Sequence, residues 1–187
     1  MVTKVRMLSF CKLIRIRIRI IVTKHVVALS FRSAACRAAA DRGIALSGDR
    51  LVITAGPWTS QCLPELALPL TVTRQQKFYF QPSSAASLEP ASLPVYADYD
   101  TRYYGFPLHG PGIKVADDTR GIGTDPDQID RTIDHQEGER LGNWLAGLLP
   151  QQTFTLLSGS TCMYTETPDQ DFLIGRHPRQ PNVLVGA

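Results

Sequence analysis

The run Leu51-Val52-Ile53-Thr54-Ala55-Gly56-Pro57-Trp58 constrains the fold of this chain more than any other segment. Aliphatic side chains on both faces of an extended segment need cover on both sides, and the glycine and proline that follow end it in a tight turn. Such a strand end is the kind of edge at which α/β sheets bind nucleotides. A core strand closed by a tight turn has the same pattern, and the residues alone favour that plainer reading.

The later segments read as short β-prone runs around one helix. Val72, Phe78, Tyr79 and Phe80 mark a strand from Leu70 to Phe80, and the Pro, Ser and Ala of residues 81–94 mark a loop. Val95-Tyr96-Ala97 and Arg102-Tyr103-Tyr104 read as antiparallel strands. Asp125-Pro126-Asp127 supplies turn and helix-start chemistry. Leu141, Trp144, Leu145 and Leu148 fall at helical spacing and predict one apolar face over residues 137–149, with Pro150 as the stop. Thr153 to Leu157, Phe172-Leu173-Ile174-Gly175 and Val183-Leu184-Val185 add further strands. The pattern is mixed α and β.

Charge is unevenly spread. The formal net charge is +3, yet residues 1–50 hold 11 of the 20 Lys and Arg and only 2 of the 17 acidic residues. Within them, Leu13-Ile14-Arg15-Ile16-Arg17-Ile18-Arg19-Ile20-Ile21-Val22 alternates with period two, which predicts a strand with isoleucines on one face and arginines on the other. No aromatic residues interleave the arginines and no binding module surrounds them, so no nucleic-acid partner is expected. A transit peptide would be helically amphipathic, and the alternation argues against one. No apolar run approaches the roughly 20 residues of a membrane span, so no membrane partner is expected.

The cysteines stand at 11, 36, 62 and 162, with no Cys-x-x-Cys pair and no metal framework. A reducing cytoplasm and no metal are the inference. His109, His135 and His177 form no metal-binding pair, and neither a Gly-x-Ser-x-Gly elbow nor a P-loop is present, which leaves hydrolase and kinase readings without support. Taken singly, Cys162 reads as a buried, inert thiol, Lys114 as a solvated strand lysine, and Tyr104 and Tyr164 as ordinary strand aromatics.

Several segments taken together change those readings. Gly159-Ser160-Thr161-Cys162-Met163-Tyr164-Thr165-Glu166-Thr167-Pro168-Asp169 resembles the segment by which monomeric sarcosine oxidases and N-methyltryptophan oxidases tether their flavin. Ala55-Gly56-Pro57-Trp58-Thr59 is similar to their Gly-x-Trp turn, and Pro69 to Gln76 to the strand that follows it. Tyr104-Gly105-Phe106-Pro107 and Gly112-Ile113-Lys114 resemble the core of their substrate domain. The order and spacing agree over residues 41–187.

The resemblance implies FAD as cofactor, bound covalently through Cys162, with Gly56, Trp58 and Met163 also at the cofactor. It places Lys114 over the flavin ring, where a fixed cation serves oxygen, and Tyr104 and Tyr164 in the substrate pocket. Asp118 stands where sarcosine oxidases tend to have a histidine, a departure that suits a cationic amine better than a small anionic amino acid. Gly175-Arg176-His177-Pro178 looks like a family turn without a catalytic part.

The implied architecture is α+β (α/β): an incomplete Rossmann-like FAD-binding domain and an antiparallel-sheet substrate domain with flanking helices. Residues 1–40 would be a basic segment without family match, 41–62 a strand and turn of the FAD-binding domain, 63–160 the substrate domain, and 161–187 the flavin anchor and the return. Members of the family open on a Gly-x-Gly-x-x-Gly turn, for which Gly121-Ile122-Gly123 is no substitute. They also carry a glycine-rich loop after a strand like Asn182 to Ala187. On this reading the chain is the middle of a flavoenzyme, inactive by itself. The expected activity of the intact family is oxidation of N-methyl amino acids with release of hydrogen peroxide, by a cytoplasmic monomer whose partners are an amine and oxygen. A related dehydrogenase that does not use oxygen is a weaker reading, which Lys114 disfavours. A remnant or interaction module with the substrate-domain fold and no flavin is the alternative.

Overall fold

The computed structural model describes residues 50–187 in full and, before them, the backbone of four strands. These are β1 (Ile20–Ile21), β2 (Val26–Arg32), β3 (Ala35–Ala40) and β4 (Ala45–Gly48). Most of the alternating Leu13–Val22 run, and the side chains of Cys11 and Cys36, lie outside the described residues. Next come β5 (Leu51–Ile53), helix α1 (Thr59–Cys62) between two 3-10 turns, β6 (Thr71–Pro82), β7 (Tyr96–Ala97), β8 (Tyr103–His109), β9 (Gly112–Asp117) and β10 (Ile122–Gly123). Helix α2 (His135–Leu148), β11 (Phe154–Glu166), β12 (Ile174–His177) and β13 (Gln180–Gly186) complete the order. The mixed α+β class read from the sequence is the one observed.

The chain divides into two compact units, Met1–Val72 with Tyr164–Ala187, and Thr73–Met163. In the first, a four-stranded sheet runs β1-β5-β13-β12, with β5 parallel to both β1 and β13 and β12 antiparallel to β13. Leu51, Ile53, Leu63, Val183 and Val185 form its core. Strands β2, β3 and β4 form a separate antiparallel sheet. After β5 the chain turns at Gly56, whose φ of +52° is left-handed backbone that glycine adopts at least cost.

His177 pins the β12–β13 hairpin to this unit. It is buried, its Nδ1 accepts from the Arg179 N–H at 3.2 Å, and its Nε2 therefore carries the proton donated to Glu65 Oε1 at 3.1 Å. That hydrogen bond, first among the causes, holds the Glu65 carboxyl below its usual range. A lowered folded value means a contribution present above the unfolded pKa of about 4.3 and lost as pH falls through the folded value. Glu65→Gln should therefore flatten the fall of the urea midpoint below about pH 4.3. An unchanged acid limb would show that the pair contributes nothing.

In the second unit the sheet order is β10-β6-β9-β8-β7, with β11 also paired to β6. The pairs β6–β9, β8–β9, β7–β8 and β10–β6 are antiparallel. One face is covered by α2: Phe78, Phe80, Ile113, Val115, Leu141 and Leu145 are buried together. Two helix glycines permit this approach. A Cβ on Gly138 would stand 3.0 Å from the Phe78 ring, and one on Gly142 3.0 Å from the Phe80 ring.

Two readings of this helix need correction. Its start is not at Asp125-Pro126-Asp127, which forms only a turn; the cap is Asp134, whose Oδ1 accepts from the N–H groups of Gln136 (2.9 Å) and Glu137 (3.3 Å). Buried Gln76 strengthens the cap, accepting from the Asp134 N–H at 3.0 Å and donating to Glu137 Oε2 at 3.1 Å. Leu148 leaves the apolar face and is 48% exposed. The true stripe is Gly138-Leu141-Gly142-Leu145, and leucine spacing alone does not show that glycines belong to it.

Candidate functional site

The face of the second sheet opposite α2 carries Lys114 and Tyr104. Alternation along β9 sends Ile113 and Val115 into the core and Lys114 the other way. In register, Lys114 lies between Tyr79 of β6 and Phe106 of β8, and Tyr104 stands one pleat along from Phe106. The ammonium sits 4.5 Å from the centroid of Phe106 and 5.2 Å from that of Tyr104, within cation–π range. The two rings meet edge to face at 6.2 Å. Lys114 is half-buried, and among the described residues it makes no ion pair with a carboxylate. It is a fixed cation on an aromatic surface.

Beside it is a mostly apolar cavity of about 540 Å³. Val95, Tyr99, Tyr104 and Phe106 supply its walls, and Asp98, Arg102 and Asp118 its charge; the Asp98 carboxylate is taken up by the N–H groups of Asp100 and Thr101 and by the Trp144 indole. Asp118 is not a lone carboxylate. Its Oδ2 lies 3.2 Å from Arg102 Nη2, which also donates to the Asp118 carbonyl at 3.1 Å.

Tyr96 closes the sheet edge by laying its ring across Gly105. Burial pushes its phenol well above the usual range, so it stays neutral. A Cβ on Gly105 would fall 2.3 Å from that ring, which is why glycine stands between Tyr104 and Phe106.

The other residues singled out in the sequence fall as follows. Cys162, Met163 and Tyr164 are consecutive in β11, all half-buried, so pleating puts Cys162 and Tyr164 on one side of the strand and Met163 on the other. The Cys162 thiol is free. Gly56 and Trp58 belong to the turn after β5, where the Trp58 N–H donates to the Ala55 carbonyl at 3.1 Å. Lys114 and Tyr104 are brought together directly. Arg102, Phe106 and Tyr79 escaped notice as site residues; the period-two pattern of β6 and β8 hinted only at the face that Tyr79 and Phe106 share.

Solved structures share this α+β fold. Glycine oxidase from Geobacillus kaustophilus superposes with a TM-score of 0.64 at 17% identity, over 87% of this chain and 41% of that one. Amadoriase I from Aspergillus fumigatus superposes with a TM-score of 0.65 at 20% identity, over 87% and 40%. The family model for FAD dependent oxidoreductases (DAO) matches residues 13–187, and the chain belongs to that family. It is 37% identical over 145 residues to the monomeric sarcosine oxidase of Streptomyces avermitilis, covering 74% of this chain and 38% of that protein. It is also 31% identical over 152 residues to the peroxisomal sarcosine oxidase of Homo sapiens and 27% over 141 residues to the N-methyl-L-tryptophan oxidase of Citrobacter koseri. The chain spans about 38% of the length of these curated relatives. None of the described helices is long and apolar enough to cross a membrane.

Proposed function

We propose that the protein carrying this sequence is an FAD-dependent oxidase of secondary amino acids of the sarcosine or N-methyltryptophan type, with oxygen as electron acceptor and hydrogen peroxide as product. The observation that carries the reading is Lys114, a cation without a carboxylate partner among the described residues, seated on the rings of Phe106 and Tyr104. A fixed positive charge on a flat aromatic face suits a planar ring that gains negative charge on reduction, so the donor set fits a flavin.

In this reading the first unit is the FAD-binding part, with Gly56 and Trp58 at the cofactor, and the second is the substrate domain. Cys162 is the covalent tether, with Met163 and Tyr164 beside it. When bound, the flavin supplies the two-electron acceptor for amine oxidation. The residues of the chain do the rest: Tyr104 and Tyr164 offer an apolar face and a hydroxyl to the substrate, and Lys114 holds positive charge where oxygen is reduced. The names of the bacterial relatives support a monomer, and the absence of a Cys-x-x-Cys framework suits a reducing cytoplasm.

The test is the colour of the protein purified with FAD. Flavin absorption that stays with the acid-precipitated protein, and moves almost wholly to the supernatant in Cys162→Ser, supports both the cofactor and its anchor. Colourless folded protein would point instead to a remnant without flavin.

A further inference from the structure

We propose that Arg102 and Asp118 act as a charge-recognition pair that makes the aromatic cavity selective for a zwitterion, an amino acid with a bulky apolar body. The inference rests on the amine-oxidase reading and adds specificity residues to it. Both side chains line the cavity and both are about half exposed, 45% and 46%, so each reaches a ligand from its own side.

The guanidinium has five N–H donors, and Nη2 alone serves the Asp118 carbonyl and carboxylate. Nε and Nη1 donate to none of the described residues, which leaves one edge of the fork for a ligand carboxylate. Asp118 likewise keeps an oxygen for an ammonium.

Electrostatics then decide among ligands. The pair is neutral, so a lone carboxylate competes with Asp118 for the arginine, and a lone amine competes with Arg102 for the aspartate. A zwitterion brings one charge to each and leaves the balance of the pair unchanged.

The framework holds the pair in place. The Asp118 N–H donates to the Arg102 carbonyl at 2.9 Å, and Arg102 sits at φ +64°, backbone that a non-glycine residue adopts only at a cost. At about 540 Å³ the cavity is in the range that holds drug-sized molecules, and its walls are Val95, Tyr99, Tyr104 and Phe106. These features favour a large apolar substituent.

The experiment is anaerobic calorimetric titration of the flavin-loaded protein with three probes that share one aromatic body: N-methylphenylalanine, N-methylphenethylamine and 3-phenylpropionate. The zwitterion is expected to bind at least about tenfold more tightly than either singly charged probe. Arg102→Ala should weaken the zwitterion and the acid about ten- to a hundredfold and tighten the amine. Asp118→Asn should do the opposite to the singly charged probes, tightening the acid and weakening the amine. Arg102→Lys keeps the charge and loses the fork; an unchanged unfolding midpoint with weaker zwitterion binding separates recognition from folding. Equal binding of the three probes, or Asp118→Asn weakening the acid, overturns the proposal. So does failure of every probe to bind a protein that is yellow, whereas loss of the flavin itself overturns the amine-oxidase reading.

Discussion

Lys114→Met is expected to slow the reaction of the reduced, flavin-loaded protein with oxygen by about 10²- to 10³-fold, while reduction by the amine changes much less. Methionine keeps the length and apolar stem of lysine, so the contacts of the chain with Phe106 and Tyr104 survive and only the charge goes. Oxygen gains negative charge as it is reduced, and a preorganised cation within a partly desolvated face stabilises that charge without having to reorganise. The neighbouring core strands hold Ile113 and Val115 fully buried, which prevents Lys114 from drifting. Rapid mixing of anaerobically reduced protein with oxygenated buffer reads the rate directly. A loss below threefold would remove Lys114 from the oxygen chemistry and return it to the role of a strand lysine.

The second large effect is on stability. Phe78→Ala should destabilise the protein by about 3–5 kcal/mol, measured as a shift of the denaturant midpoint at constant slope. Phe78 is fully buried, and its ring lies against the positions of both Gly138 and Gly159, two glycines on different elements. Removal of the ring leaves a void that a rigid helix glycine and a strand glycine cannot fill. Leu148→Ala, at the exposed end of the same helix, should stay within about 0.5 kcal/mol. Similar costs at the two sites would mean that the helix does not pack as described.

Local order is well encoded in this chain. The strand position of Lys114, the helical spacing that predicts α2, the Pro150 stop and the turn at Gly56 each depend on residues close in sequence, and each is found where expected. The cap could not be picked from the sequence because Asp125 and Asp134 both offer a capping carboxylate; only Asp134 has Gln76 of β6 beside it, 58 residues away. Leu148 was misread because periodicity marks a helix stripe but not how far the covering sheet extends beneath it.

The site shows the same limit more sharply. That the lysine, tyrosine and cysteine stand in segments resembling those of a flavoenzyme family was readable, since each segment carries its own motif. Asp118 was readable as a departure, but its partner was not: Arg102 lies 16 residues back, just before the neighbouring strand.

By itself, then, the amino-acid order determined which residues form strands and helix, which faces are apolar, and which family the chain resembles, because those depend on periodicity and short motifs. Tertiary structure alone decided that Lys114 rests on two aromatic rings, that Asp118 is answered by an arginine, and that His177 is held by Glu65 across 112 residues. Strand register and long-range packing place such pairs, and no local pattern specifies which strand lies next to which.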